Sequence, residues 1–317
     1  MKVIDIINKK TAPFPSLELV PPLKRSDINK LYQSIEPLME FNPPFINITC
    51  HREEIEYIES PDGTIKKKII TKRPGTVAIA AAVMKKFNVE VVPHVICGGA
   101  NKYKIENDLI DLNFLDIQNV MSLRGESIPG QKLFVPEIDG YTHSNELVSQ
   151  INNLNKGIYL DDSIKDAIPT NFCVGVAGYP EKHFEAPNMD VDIENLKRKV
   201  EAGADYIITQ MFFDNNNYYD FVNLCRNKGI TVPIIPGLKP ISTHKQLMML
   251  PQTFSIDIPQ NLVKEINKCK DNSEVYKIGV EWCIAQSKDL ISKGIPAIHY
   301  YTMGKGDNIR DILKEVF

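Results

Sequence analysis

The chain lacks most of the patterns that announce a function, and each absence removes a class of protein. Its six cysteines, Cys50, Cys97, Cys173, Cys225, Cys269 and Cys283, form no CxxC pair and no close spacing. That favours reduced thiols in a cytosolic protein over a disulfide frame or a zinc site. The longest apolar run, Val77–Met84, falls far short of the ~20 residues a membrane span needs. The opening MKVIDIINKK carries charges where a secretion signal needs an uncharged apolar core. No GxGxxG or P-loop glycine pattern occurs, so a nucleotide cofactor is not held in the Rossmann manner. HExxH is absent and His51, His94, His143, His183, His244 and His299 are dispersed, which speaks against a metal hydrolase, and no metal is expected. A GxSxG nucleophile motif is missing too. Nor is there an excess of one charge: the net charge is −3, which argues against nucleic-acid binding as a main role. The basic run IKKKIITKR, Ile65–Arg73, reads as a solvated loop or edge. A soluble cytoplasmic protein is expected, one that engages neither nucleic acid nor membrane.

What the sequence does contain is alternation. Near-continuous apolar runs at Ser16–Val20, Phe45–Thr49, Glu90–Val95, Asn119–Arg124, Cys173–Tyr179, Tyr206–Met211, Pro233–Leu238 and Ala297–Thr302 suit parallel strands buried on both faces. Helical patterns fill the gaps: Ser26 capping a helix through Glu40, then Arg73–Phe87, Lys102–Asn113, Asn145–Asn155, Val191–Ala202 and Asn216–Asn227. A long helix from Ser273 to Lys293 and a final one at Asn308–Val316 follow. Gly203 and Gly229 are placed as helix stops. Eight strands alternating with helices over 317 residues predict an α/β protein of the (β/α)8 TIM-barrel class in one domain, residues 1–317, with a doubly wound sheet as the rival. The segment Gly125–Asn171 is unusually long for a connection and is read as an insertion of about 125–171.

In such a barrel the strand C-terminal ends share one mouth. The polar residues there are Glu18, Thr49, His94, Arg124, Glu126, Tyr179, His183 and Gln210. Each has a plainer alternative. Glu18 in its apolar strand suits a structural ion pair as well as a general acid, and His94 suits a hydrogen-bonded core site. Thr49 and Gln210 suit the satisfaction of loop backbone groups. Their joint occurrence is harder to explain that way. A buried carboxyl has its pKa raised toward neutrality and makes a good acid. Arg124, Arg198 and Lys199 suit phosphates, and Tyr179, Phe212 and Phe213 suit a planar ring. On the helix at Val191–Ala202, Asp192, Asn195 and Lys199 fall on one polar stripe, either a solvated flank or a seat for an anionic ligand; Arg198 projects roughly 100° or more away. No activated nucleophile stands out, so redox or group transfer on a planar cofactor fits better than hydrolysis.

The motifs SLELVPP, FINIT, PHVICGG, LRGE, AGYPEKHFEAP, NLKRKVEAGADYIITQMFFD, IIPGLKPIS and HYYTMGK occur in this order. Over nearly the whole chain they resemble the methylenetetrahydrofolate reductase family, in the extent of its bacterial catalytic form. The resemblance implies a (β/α)8 barrel that binds FAD without a Rossmann motif. It also implies ping-pong hydride transfer from NADH or NADPH, through FAD, to 5,10-methylenetetrahydrofolate. The product, 5-methyltetrahydrofolate, supplies methyl groups for methionine synthesis. By match to the family motifs, Glu18 is the general acid that protonates N10, and Glu126 stands where the family usually has aspartate near flavin and pterin. Cofactor contacts carry over to Thr49, Cys50, Arg52, His94, Arg124, Gly125, Glu126, Ser144, Tyr179, His183, Ala186, Asp192, Asn195, Arg198 and Lys199. Substrate contacts carry over to Glu126, Gln210, Gln246, Leu250 and Lys305. Leu250 replaces an aromatic ring of some relatives, and Lys305 an arginine, losing bidentate geometry on the folate tail. A homo-oligomer is expected.

Overall fold

The computed structural model describes residues 1–127, 131, 133–304 and 306–317, with backbone alone at 54, 55 and 69. Its strands are β1 (Phe14–Leu19), β2 (Phe45–Ile48), β3 (Glu54–Glu59), β4 (Ile65–Ile70), β5 (Glu90–Ile96), β6 (Asn119–Leu123), β7 (Cys173–Gly178), β8 (Tyr206–Met211), β9 (Ile234–Leu238) and β10 (Ala297–Tyr301). Among the described residues, eight of them close a barrel in the order β1-β10-β9-β8-β7-β6-β5-β2. Its neighbouring strands, from β1–β2 round to β8–β9, are parallel. The (β/α)8 class expected from the alternating runs is therefore the fold, and the doubly wound alternative is excluded by closure.

The helices are α1 (Val3–Lys9), α2 (Ile28–Ile35), α3 (Thr76–Phe87), α4 (Lys102–Phe114), α5 (Ser144–Leu154), α6 (Met189–Glu201), α7 (Asn215–Asn227), α8 (Gln246–Phe254), α9 (Gln260–Lys268), α10 (Asn272–Ser292) and α11 (Asp307–Val316). Strand periodicity of two sorts the side chains. Leu17, Leu19, Ile46, Ile48, Val174 and Val176 face outward into the layer shared with Leu31, Ile79, Leu147 and Ile193 of the helices. Phe14, Phe45, Val92, Met121, Cys173, Tyr206, Ile208, Ile235 and Ala297 point inward and fill the barrel. Gly175 leaves room for this filling: a Cβ there would meet the Tyr206 ring at 2.5 Å and Met121 Sδ at 2.8 Å.

Several boundaries differ from expectation for local reasons. The first surrounding helix is capped by Asp27, whose carboxylate accepts from Asn29 N at 3.0 Å, and not by Ser26. It gives way to a 3-10 turn, Glu36–Phe41, at Pro37. The basic run is the second strand of an antiparallel hairpin, β3–β4, paired from Glu54↔Ile70 to Glu59↔Ile65. Finally, α1 closes the barrel floor. Val3, Ile6 and Ile7 pack against Phe14 and Phe45, while Val3 N donates to Asn119 Oδ1 at 2.8 Å and Asn119 Nδ2 to Met1 O at 3.0 Å.

Candidate active site

The barrel interior turns polar as it rises from this floor. Continuing the inward alternation of β1 from Phe14 come Ser16 and Glu18; β2 adds Asn47, β5 His94, and β10 His299 and Tyr301. Ser16 Oγ lies 2.9 Å from His299 Nδ1. Asn47 Nδ2 donates to His94 Nε2 at 3.3 Å, and the same nitrogen is 3.7 Å from Glu18 Oε2. Burial pushes both imidazoles down to about 3, so they are neutral. Among the described residues Glu18 thus has no ion-pair partner but a neutral imidazole, and burial raises its carboxyl to about 8. Its side chain is still 15% exposed, which leaves it open to the mouth. The structural ion-pair alternative finds no support among the described residues, where the basic group paired with Glu18 is a neutral histidine. Tyr301 stands alongside: its hydroxyl donates to Thr209 O at 2.7 Å, and burial, with Glu18 and Tyr179 nearby, raises its pKa.

A second group gathers where β7 leads into α6. Lys199 extends inward from α6 to donate to Ala177 O at 3.0 Å, with its ammonium 5.7 Å from the Tyr179 ring centroid. Burial depresses it to about 8, against the pull of Asp192. Asp192, at the start of the stripe and 7% exposed, accepts from His183 N at 3.0 Å. Tyr179 packs edge-on to His183 at 4.7 Å. Lys182 donates to Ala186 O at 2.6 Å, folding the 182–186 loop on itself. Arg124 pairs with Glu185 and lies 4.9 Å from the Phe134 ring centroid. Burial first, then the charges of Arg124, Lys199 and Lys182, push His183 down to about 4. Three cations, Arg124, Lys182 and Lys199, therefore gather about one loop beside the carboxylates of Glu185 and Asp192, an arrangement that suits an anionic group.

The remaining expected residues divide. Thr49 Oγ1 lies 3.1 Å from His51 Nε2 at the β2 exit. Cys50 is half-buried beside it, its thiol raised by burial. Arg52 bridges Glu137 Oε1 at 3.3 Å and Glu126 O at 3.5 Å. Gly125 takes φ +87°, a conformation that favours glycine, and turns the chain so that Glu126 is exposed at the rim. Gln210 lies at the β8 end in a cleft with Tyr179, Met211, Phe254 and Ile256; its Oε1 accepts from Met211 N at 2.9 Å. Other residues stand apart. Asn195 bonds Arg198 at 3.2 Å on the outer side of α6, so the stripe splits: Asp192 and Lys199 turn inward while Asn195 pairs outward with a residue off the stripe. Ser144 is buried, its carbonyl accepting from Ser122 Oγ at 3.2 Å. Gln246 Oε1 accepts from Ser242 N at 2.6 Å and Thr243 N at 3.2 Å. Leu250 has no exposed surface and packs with Met211, Phe213 and Ile241. Lys305 lies outside the described residues.

Sequence reasoning missed Asn47, Lys182, Glu185 and Phe134. Asn47 was visible as the one polar residue within FINI, but without a fold its inward direction was not. Glu181 was missed as well: it accepts from Asn217 Nδ2 at 2.6 Å and Asp257 N at 2.7 Å, tying the β7 loop to the segment after α8.

The family model described as methylenetetrahydrofolate reductase matches residues 2–316. A probable methylenetetrahydrofolate reductase (NADPH) of Caenorhabditis elegans is 30% identical over 96% of this chain and 42% of its own. Methylenetetrahydrofolate reductase (NADH) 1 of Arabidopsis thaliana is 31% identical over 96% and 48%. The chain thus spans about half the length of these curated relatives. The 5,10-methylenetetrahydrofolate reductase of Escherichia coli is 28% identical over 92% of this chain and 86% of its own. Among solved structures, an uncharacterized Clostridium thermocellum protein that binds two copies of 5-methyl-5,6,7,8-tetrahydrofolic acid shares the fold. Its TM-score is 0.56 and its identity 14%, over 98% of this chain and 96% of that one. With the family model covering all but the terminal residues, the chain belongs to the methylenetetrahydrofolate reductase family.

Proposed function

We propose that this chain, acting as one catalytic unit, reduces 5,10-methylenetetrahydrofolate to 5-methyltetrahydrofolate with NADH or NADPH as donor and FAD as bound cofactor. The observation that carries this reading is Glu18. It is a carboxyl kept protonated near neutral pH, open to the mouth of a barrel from this family. In the folate, N10 must take a proton before its bond to the bridging methylene carbon breaks. The N5 iminium left behind then takes a hydride at that carbon. Glu18 has the proton to give, and its carboxylate returns to the acid form from solvent. Glu126, exposed at the rim, supplies negative charge that favours the iminium. Gln210 and Gln246 each use the amide oxygen on backbone N–H groups, which leaves their NH2 groups to donate to a pterin. Leu250 supports that side from beneath, and Lys305 is assigned to the folate tail on the resemblance alone.

The residues present fit FAD. Arg124, Lys182 and Lys199 give positive charge for its diphosphate, with Tyr179, His183 and Asp192 alongside and Asn195, Arg198 and Ala186 on the flank. Thr49, Cys50, Arg52, His94, Gly125 and Ser144 are assigned toward its ring side. When bound, the flavin would accept a hydride from the nicotinamide and pass it to the folate, one ligand following the other. An absorbance spectrum of the purified protein, followed by anaerobic NADH titration and then addition of methylenetetrahydrofolate, tests the whole reading. A flavin spectrum that bleaches and then recovers is expected. A colourless protein that takes up no added FAD overturns it.

A further inference from the structure

Beneath the mouth, one buried oxygen has nothing to bond. Among the described residues Asn47 Oδ1 is shielded from solvent and has no hydrogen-bond partner, although Asn47 itself is only 1% exposed. An orphaned buried acceptor is destabilising, so a donor is wanted in its surroundings. The other half of the amide narrows the search. Nδ2 can only donate, so His94 Nε2, 3.3 Å away, must present its lone pair, and the proton of this neutral ring sits on Nδ1. His94 therefore offers Nε2 as an acceptor too and cannot satisfy Oδ1 from that atom. Glu18 lies on the adjoining strand. It is the register partner of Asn47 across the β1–β2 pair, points to the same inner face, and its Oε2 is 3.7 Å from the same His94 nitrogen. A carboxylate adds another acceptor to this cluster, whereas a carboxylic acid adds the one donor it lacks.

We propose that Asn47 is a positioning residue for Glu18, its amide oxygen accepting the O–H of the Glu18 carboxylic acid. The proton is thereby stored on a side chain held in one rotamer until a stronger acceptor, the basic nitrogen of a bound substrate, competes for it. The arrangement rests on the functional reading above for its purpose but not for its existence. It also explains the interior: His94 fixes the amide's orientation, and the amide fixes the acid.

Infrared spectroscopy of the full-length protein reads the bond directly. The C=O stretch of the protonated Glu18 carboxyl is identified by its loss in Glu18→Gln. In Asn47→Leu, an apolar replacement of similar size, that band is expected at higher frequency, because the acid has lost its acceptor. In parallel, reoxidation of the flavin by methylenetetrahydrofolate should slow about ten-fold or more, while flavin reduction by NADH changes less than about two-fold. An undisplaced band in a folded Asn47→Leu protein overturns the proposal. Should that variant not fold, Asn47→Ser, whose hydroxyl is too short to reach, must show the same displacement, and an unmoved band there overturns it equally. A protein that holds no flavin ends the functional reading, whereas the infrared measurement judges Asn47 alone.

Discussion

Glu18 and Lys199 face the same physics with opposite charges. Each is buried against the barrel rim, and each has its ionised form penalised, the acid raised to about 8 and the amine lowered to about 8. For Glu18 this has two separable consequences. Glu18→Gln should abolish folate reduction while NADH still bleaches the flavin, measured as two stopped-flow half-reactions; equal loss of both would sink the general-acid role. Because the folded pKa exceeds the unfolded value, the stability contributed by the neutral acid is full below about 4.5 and is lost as pH rises through about 8. Urea melts of wild type and Glu18→Gln should therefore diverge in favour of Gln across that window and run parallel above it. Lys199→Met removes the buried cation but keeps its length. It should weaken FAD retention by about ten-fold, read by flavin fluorescence on dilution, in keeping with a charge-assisted contact of about 1.5–3 kcal/mol. A retention that does not change would assign Lys199 to holding Ala177 and nothing more.

At the level of elements, the barrel strands were legible because strands buried on both faces need apolar residues at nearly every position, and runs such as FINI and YIITQM leave little else to be. The hairpin β3–β4 was not. Its residues carry charge on both strands, so no apolar period shows, and the Asp62–Gly63 turn, with Gly63 at φ +77°, was its clearest signal. α1 was passed over because a charged, ten-residue opening reads first as the absence of a targeting signal. Its apolar residues at 3, 6 and 7 nonetheless mark one helical face. Side-chain direction at the mouth was the least legible feature. Whether Gln246 faces a ligand or its own loop, and whether Leu250 is under or beside the site, depends on how α8 docks, which no local pattern encodes. The floor offers a test. Asn119→Ala deletes the two hydrogen bonds that Asn119 makes to residues 1 and 3 at the start of α1 and should cost about 1–3 kcal/mol in urea denaturation, with the midpoint lowered and activity retained until the helix releases.

For the molecule as a whole, homologues named for NADH and for NADPH both align along nearly the full chain. Paired titrations with the two nucleotides would rank them. The homo-oligomer expected of the chain is checked by sedimentation velocity. The closed floor carries a further consequence. Among the described residues Phe14, Phe45 and Tyr206, at 2% exposure or less, lie with Val3 and Ile6 on the floor side of Glu18, so water is expected to reach Glu18 from the mouth, the opening a bound folate would occupy on the proposed function. On the proposed function, the spent acid would be recharged from the mouth side. Each turnover would then be gated by departure: the product must vacate the doorway before a fresh proton can arrive, and the enzyme would pause between cycles with its proton store empty.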